Sequence, residues 1–439
     1  LKHSKSKMLR PAQLAAVIFL TVSGGPYGLE PLLLYGGNNA ILLLLVVPLL
    51  WDLPTIFTVM ELNSMMPLNG GYYQWVKQGL GLRWAFYEGW WTWLYTFVDL
   101  AIYPVLFVEY ASFFFPAIAA YKLPICWAII WGGAWLNIRG IVPVGKAAVV
   151  LGVVVVLPFA ILAGMALWHS PVGHLWQLPR PAGGMSLSAI GMGLYTVMWN
   201  FLGWDNATTY AEEVDHPVRS YLWSLGAAFL LIFVLYFVTV LVALHAGVDV
   251  VTLQEVGFPV LGTVIGGWWL GALLSLGGMA SALGLFSAVM LSVSRMPKAM
   301  ADDRLLPPVL SREHRRYETP WISILCCAVV VSLLVIWTFE DLLIIDITLY
   351  GTALFLEFIA LIILRIKAPQ WERPFRIPLG IPGLCIMTLL PLIVFGVAFS
   401  GALMAGQNNQ PLLFSVIALI SGEVVWQGIR RIHHPANKI

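Results

Sequence analysis

Charge is what this sequence lacks most: Lys and Arg number 24, Asp and Glu 22, and the four types together make up 10% of 439 residues. A water-soluble domain needs a far larger polar surface, and a 60% hydrophobic content with a mean hydropathy of +0.85 excludes one. A net charge of +2, with its basic residues scattered over loops, leaves no nucleic-acid footprint. Cysteine is scarce as well. Cys126, Cys326, Cys327 and Cys385 all fall in apolar runs, where they read as packing residues rather than as a disulfide framework or zinc cluster. Histidine is too dispersed for metal binding: His169 and His174 lie at and beyond the outer end of one run, and His433 and His434 follow the last run on the other side. With no convergent nucleophile, acid/base pair or metal set, neither an enzyme nor a cofactor is expected. No linker or low-complexity stretch marks a second, soluble domain.

What the chain has instead is a series of continuous apolar runs, each near the roughly 20 helical residues that cross about 30 Å of hydrocarbon. The runs do not alternate, and an open sheet cannot satisfy its backbone in lipid, so helices are expected. Twelve spans are predicted at 10–35, 39–66, 84–115, 123–138, 143–169, 186–211, 218–246, 264–298, 320–338, 341–366, 381–403 and 411–431. In this layout only Lys122 and Arg180 lie in far-side loops and the other 22 of the 24 basic residues lie on the near side, which makes both termini cytoplasmic. The chain begins without Met, and its first apolar run leads directly into further spans, so no cleavable signal peptide is expected.

Two spans carry interruptions that ordinary membrane helices avoid. In the first, Ser23-Gly24-Gly25-Pro26-Tyr27-Gly28 sets three glycines and a proline at mid-membrane depth. Proline removes an N–H and glycine relaxes φ, so the helix is expected to unwind there. In the sixth, Asn200-Phe201-Leu202-Gly203-Trp204-Asp205-Asn206 brings polar and charged groups to a comparable depth. Freed backbone is tolerated in a membrane only where it lines a cavity or is buried in protein. Helix packing alone would account for one such kink. Two kinks five spans apart fall in halves that enter the membrane from opposite sides, the mark of an inverted repeat. The predicted organisation is therefore a tail at 1–9, a first repeat at 10–169, a second at 186–366, two further helices at 381–431 and a tail at 432–439.

Carboxylates inside the membrane are costly and mark pathways or proton sites. With Glu61, Glu88 and Asp341 set aside near span ends, those within spans are Glu30, Asp52, Asp99, Glu109, Asp205, Asp346, Glu357 and Glu423. Glu30 and Glu423, in outer turns, read as snorkelling to water. Few bases lie at similar depth, so some of these acids must be protonated, solvated or paired with a bound cation.

Three loop stretches carry a family resemblance: Pro67-Leu68-Asn69-Gly70-Gly71-Tyr72-Tyr73-Gln74-Trp75, Glu212-Glu213-Val214-Asp215-His216-Pro217-Val218-Arg219 and Arg373-Pro374-Phe375-Arg376-Ile377-Pro378-Leu379-Gly380. They resemble the cytoplasmic signatures of the amino acid, polyamine and organocation (APC) superfamily. The resemblance covers nearly the whole chain and implies the five-plus-five inverted-repeat APC fold with two extra C-terminal helices. Val22 to Glu30, Ile102 to Tyr110, Glu357 to Ala360 and Leu364 to Lys367 are similar to the plant and protozoan polyamine uptake branch. That branch carries an acid in helix 8 after a Gly-x-Phe element, and here Gly284-Leu285-Phe286-Ser287-Ala288-Val289-Met290 has none. Helix 6 also resembles that of arginine/agmatine and putrescine antiporters, in which an aromatic precedes an acid by six positions; Trp199 and Asp205 stand there. Asp99 matches a substrate-facing position in helix 3 of the same antiporters. The helix 3–4 loop from Pro116 to Leu123 lacks the cysteine that joins heteromeric members to an accessory subunit, so no disulfide-linked partner is expected.

The function these readings imply is secondary active transport of amino acids or polyamines across the plasma membrane, the partners being a small amine, a coupling ion and lipid. The expected substrate site comprises Ser23, Gly24, Gly25, Pro26, Tyr27, Gly28, Asp99, Tyr103, Trp199, Phe201, Gly203, Trp204 and Asp205. An indole face holds an ammonium by cation–π attraction and a nearby carboxylate balances its charge, while the glycine N–H groups suit a substrate carboxylate. Glu109, Asp205 and Asp99 are the proton-coupling candidates, protons being favoured over sodium by the surplus of embedded acids. A sodium site of helix 1 carbonyls and helix 8 hydroxyls, Ser281 or Ser287, is the alternative for the ion. An exchanger, a nutrient receptor on a transporter scaffold and a channel are the alternatives for the function.

Overall fold

The computed structural model describes residues 8–169, 183–249, 251–253, 257–335, 339–405 and 410–433. The loop holding His174 and Arg180 and most of the two tails, at 1–9 and 432–439, lie outside the described residues. Among the described residues every regular element is a helix, apart from isolated bridges between Leu9 and Val214 and between Asn69 and Tyr210. Among the described residues nine helical stretches are long and apolar enough to cross a membrane, and Pro11–Val22 and Trp321–Leu334 are shorter apolar helices. In hydrocarbon only a helix satisfies such a run's N–H and C=O groups from within.

We number the helices α1 Pro11–Val22, α2 Glu30–Gly36, α3 Ala40–Val47, α4 Leu53–Met65, α5 Gly71–Leu80, α6 Leu82–Ser112, α7 Lys122–Ile138, α8 Ile141–His169 and α9 Leu187–Asn200. They continue with α10 Pro217–His245, α11 Phe258–Gly266, α12 Trp268–Val293, α13 Arg295–Asp302, α14 Trp321–Leu334, α15 Phe339–Lys367, α16 Ile381–Ala405 and α17 Gln410–His433. The run expected as one span at 10–35 is two helices, α1 and α2, parted at Ser23–Leu29. The run at 186–211 is helical only to Asn200 and continues through 3-10 turns at Asn206–Thr209 and Ala211–Glu213. The run at 264–298 divides into the end of α11, then α12, then α13. Its apolar period is unbroken, and the division comes from Gly267 at φ 83° and from the turn at Ser294. Helices α6, α12 and α15 are the most enclosed, whereas α7, α8, α16 and α17 leave most of their surface to lipid.

The three signature loops are docking pieces. Gly70 donates its N–H to Thr209 O at 2.8 Å, and a Cβ on Gly71 would collide with Thr208, so the loop before α5 lies directly on the 3-10 turn that follows α9. Glu213 takes Arg295 of α13 through two bonds of 2.6 and 3.0 Å, and its own carbonyl accepts the Leu9 N–H. Glu61 of α4, set aside from sequence as a residue near a span end, is fully buried. It accepts Arg365 of α15 at 2.5 and 2.6 Å and the Ile377 N–H at 2.8 Å, with Arg373 at 3.3 Å. One carboxylate thus ties α4, α15 and the third signature together. Removing one partner of such a buried pair strands the other charge, at a cost of about 3 to 5 kcal/mol. Glu61→Gln is expected to lower the melting temperature of the purified protein markedly, and an unchanged melting curve would show that Arg365 is held by other means.

Candidate functional site

The two interruptions lie side by side. Gly24, Gly25 and Gly28 adopt φ of 58°, 96° and 83°, and Gly203 in the other break adopts 95°. Gly28 sits directly beneath the Trp199 ring: a Cβ there would come within 2.5 Å of Cζ3. Asn200 donates to the Gly28 carbonyl at 3.1 Å. Tyr236 of α10 lies between the breaks, its hydroxyl 2.6 Å from Ser23 Oγ and 3.0 Å from the carbonyl oxygens of Gly25 and Asn200. A phenol has one proton and two lone pairs, so it can donate to a carbonyl of either break while accepting from Ser23.

The glycine N–H groups expected to be free are engaged. Gly24 donates to Phe19 O at 2.9 Å, Gly25 to Ser23 Oγ at 3.0 Å, and Gly28 faces the carboxylate of Glu30. Glu30 was expected to snorkel; it is buried and also accepts the Phe258 N–H and the Tyr110 hydroxyl, each at 3.1 Å. The chain therefore brings its own carboxylate to this end of the break.

Acids gather on the other side. Asp99 of α6 accepts the Tyr103 hydroxyl at 2.5 Å and faces the Trp199 indole, while its Oδ1 has no hydrogen-bond partner. Asp346 of α15 lies within electrostatic reach of Asp99, and neither of its oxygens has a partner. Asp205 accepts the Tyr350 hydroxyl at 2.9 Å and meets the Glu357 carboxylate of α15. Tyr95 stands between the two groups, donating to Asn206 Oδ1 at 2.9 Å and packing edge-on against Tyr350 at 5.2 Å. All these residues are buried, and among the described residues none of these acids forms an ion pair with Lys or Arg. Two apolar cavities, of about 850 and 540 Å³, lie elsewhere, against α7 and α12 and between α1, α8 and α10.

Of the residues expected at the site, Ser23, Gly28, Asp99, Tyr103, Trp199, Gly203 and Asp205 meet around the breaks. Gly24 and Gly25 form the first break with them, and Pro26, Tyr27, Phe201 and Trp204 turn to packing. Tyr27 donates to Leu274 O at 2.6 Å, Phe201 packs edge-on against Tyr236, and Trp204 donates to Asp52 at 3.2 Å. Pro26 caps a turn through its carbonyl, which accepts Leu29 N–H at 3.0 Å. Glu109 is exposed on the outer side of α6, toward Lys122, and does not join the acids. Ser281 faces Gly24, as the sodium alternative requires, whereas Ser287 borders the 850 Å³ cavity. Asn200, Tyr236, Tyr95, Tyr350, Asp346 and Glu357 were not assigned to the site. The last two were visible as embedded acids; the tyrosines and Asn200 carry no local signal that sets them apart from packing residues.

The model of the amino acid permease family matches residues 9–422. Polyamine transporter RMV1 of Arabidopsis thaliana is 33% identical over 431 residues, covering 97% of this chain and 86% of that protein. Polyamine transporter PUT1 of Oryza sativa subsp. japonica is 34% identical over 401 residues, 88% of this chain and 72% of that protein. The arginine/ornithine antiporter of Pseudomonas aeruginosa is 24% identical over 348 residues, 75% of this chain and 71% of that protein.

Tyr236→Phe tests whether one hydroxyl holds the breaks together. Leaving its buried partners unsatisfied should cost about 1 to 3 kcal/mol, read as a lower melting temperature together with weakened ligand binding. Wild-type values for both would mean that Asn200 suffices.

Proposed function

The chain belongs to the amino acid permease family, as an integral multi-pass membrane transporter rather than an enzyme, and we propose that it takes up small amines by proton-coupled alternating access. The observation that carries this reading is the group of buried carboxylates without basic partners beside Trp199, between two helix breaks. An uncompensated acid in a membrane interior calls for a cation or a proton. In this proposal the ammonium of the substrate rests on the Trp199 face with Asp99 as its counter-charge, and Asp205 carries the coupling proton. In this proposal twelve spans form two inverted halves, with the breaks in the first and sixth, an arrangement suited to alternating access. The plasma membrane is the proposed location, with both termini cytoplasmic, on the partition of basic residues.

The engaged N–H groups at Gly24, Gly25 and Gly28 favour the amine over the carboxylate as the recognised end, and so polyamines over amino acids. Likeness to polyamine transporters of two plants points the same way. Likeness to an arginine/ornithine antiporter favours exchange as the second reading. Counterflow measured with and without a pH gradient separates the two.

Loss of a charge-assisted contact is worth roughly 1.5 to 3 kcal/mol, about a tenfold to hundredfold weaker binding. Asp99→Asn and Trp199→Ala are each expected to weaken putrescine and spermidine binding by that factor in folded, purified protein, in a screen that includes amino acids. Undiminished cation affinity in both variants would refute the assigned pocket. For the orientation, a thiol at position 174 (His174→Cys) should react with an impermeant reagent on intact cells and one at position 438 (Lys438→Cys) should not; the reverse pattern would invert the topology.

A further inference from the structure

We propose that Asp205, Glu357 and Glu88 form one proton-holding site, separate from the ammonium site at Asp99, with Glu357 as the residue that shares the exchanged proton with Asp205. The inference rests on the coupled-uptake reading above and assigns residues that the reading leaves unused.

Glu88 and Glu357 lie on α6 and α15, the helices that also carry Asp99 and Asp346, and both are fully buried. Glu357 lies near enough to Asp205 for the two carboxyl groups to interact, and neither of its buried oxygens has a hydrogen-bond partner. Two neighbouring carboxylates, away from any base, repel unless a proton or cation lies between them. Glu88 takes only a long bond of 3.4 Å from Thr92, and its Oε2 has no partner. A further group points at the same place: the Tyr72 phenol, fully buried beside Thr92, faces Asp205, Glu88 and Glu357, and its hydroxyl has no hydrogen-bond partner. The titratable groups around Asp205 are thus Glu88 and Tyr95 from α6, Tyr72 from α5, and Tyr350 and Glu357 from α15, all acidic or neutral.

A proton fits this site better than a metal ion. Glu88 is not close enough to the Asp205–Glu357 pair to complete a set of metal ligands, and among the described residues no such set of three is found. A bridging proton needs only the two neighbouring carboxyl groups, with Tyr350 donating to the Asp205 Oδ1. The Gly203 N–H in turn reaches the Tyr350 oxygen at 3.4 Å, so the acid pair is wired to the break after α9. When the proton leaves for water, one full negative charge appears on Asp205 or Glu357, and the pair must separate or admit a cation. Proton release is in this way linked to rearrangement of the break. Tyr95 and Tyr350 stand between this site and Asp99.

The test uses the full chain in proteoliposomes, with two readouts. In infrared spectra recorded against pH, the wild type should show the carbonyl stretch of a protonated carboxylic acid, diminished in Glu357→Gln and shifted in Glu88→Gln. An inward pH gradient should accelerate wild-type putrescine uptake. In Glu357→Gln that acceleration should vanish while putrescine counterflow stays within about threefold of wild type, a loss well under one tenfold step in affinity. Glu357→Asp, which restores the acid, should recover part of the acceleration and shows that loss in the amide variant is not misfolding. Asp99→Asn should do the reverse, losing putrescine binding and keeping the infrared band. A Glu357→Gln protein that keeps the wild-type spectrum and gradient response overturns the proton site and leaves the transport reading intact. A wild type whose uptake ignores the gradient overturns the coupled reading, even where the infrared band is present and sensitive to Glu357.

Discussion

A broken helix inside a bilayer has no water to complete its hydrogen bonds, and this constraint organises the centre of the molecule. The backbone freed at Ser23–Gly28 and after Asn200 is satisfied partly by neighbours within each break, such as Ser23 for the Gly25 N–H, and partly by side chains that reach across. Asn200, at the end of one broken helix, bonds the carbonyl of Gly28 in the other, and the Tyr236 hydroxyl reaches both. Neither break can move without remaking bonds to its counterpart. The Trp199 ring, seated on Gly28 where a Cβ would not fit, adds a steric tie to the polar one.

Among the described residues, buried and half-buried charge falls into two main groups, sorted by position. In the signature loops and the helix ends they touch, acids are matched by bases: Glu61 with Arg365 and Arg373, Glu213 with Arg295, Asp303 with Lys77. These pairs fasten segments far apart in sequence, and two of the three signatures take part in them, through Glu213 and Arg373. In the middle of the bundle the acids Asp99, Asp346, Asp205, Glu357 and Glu88 are surrounded by phenols instead. A tyrosine hydroxyl donates a hydrogen bond and brings no positive charge, so it orients a carboxylate while leaving its charge uncompensated. Such an interior is suited to receive cations, because their charge is what the protein itself does not supply. Glu30 completes the pattern from the opposite direction, occupying N–H donors that would otherwise face a substrate carboxylate.

The sequence by itself determined the class, the run of membrane helices and the position of both breaks. Each of these rests on local chemistry: apolar length against bilayer thickness, and glycine and proline against helical hydrogen bonding. It also marked Trp199, Asp99 and Asp205, since an acid or an indole at mid-membrane depth stands out against aliphatic neighbours. Only the tertiary structure decided which of the marked residues face the breaks. Trp204 and Tyr27 have the same local signal as Trp199 and Tyr103, yet they bond Asp52 and Leu274 O on neighbouring helices. Glu109 has the local signal of Asp99 but projects from the outer side of α6. Glu88, which looked like a residue near a span end, is buried because α5 and α15 cover that turn of α6. The contact of Asp205 with Glu357 joins positions 152 residues apart, a pairing set by how α15 packs against the broken helix and carried by no local pattern.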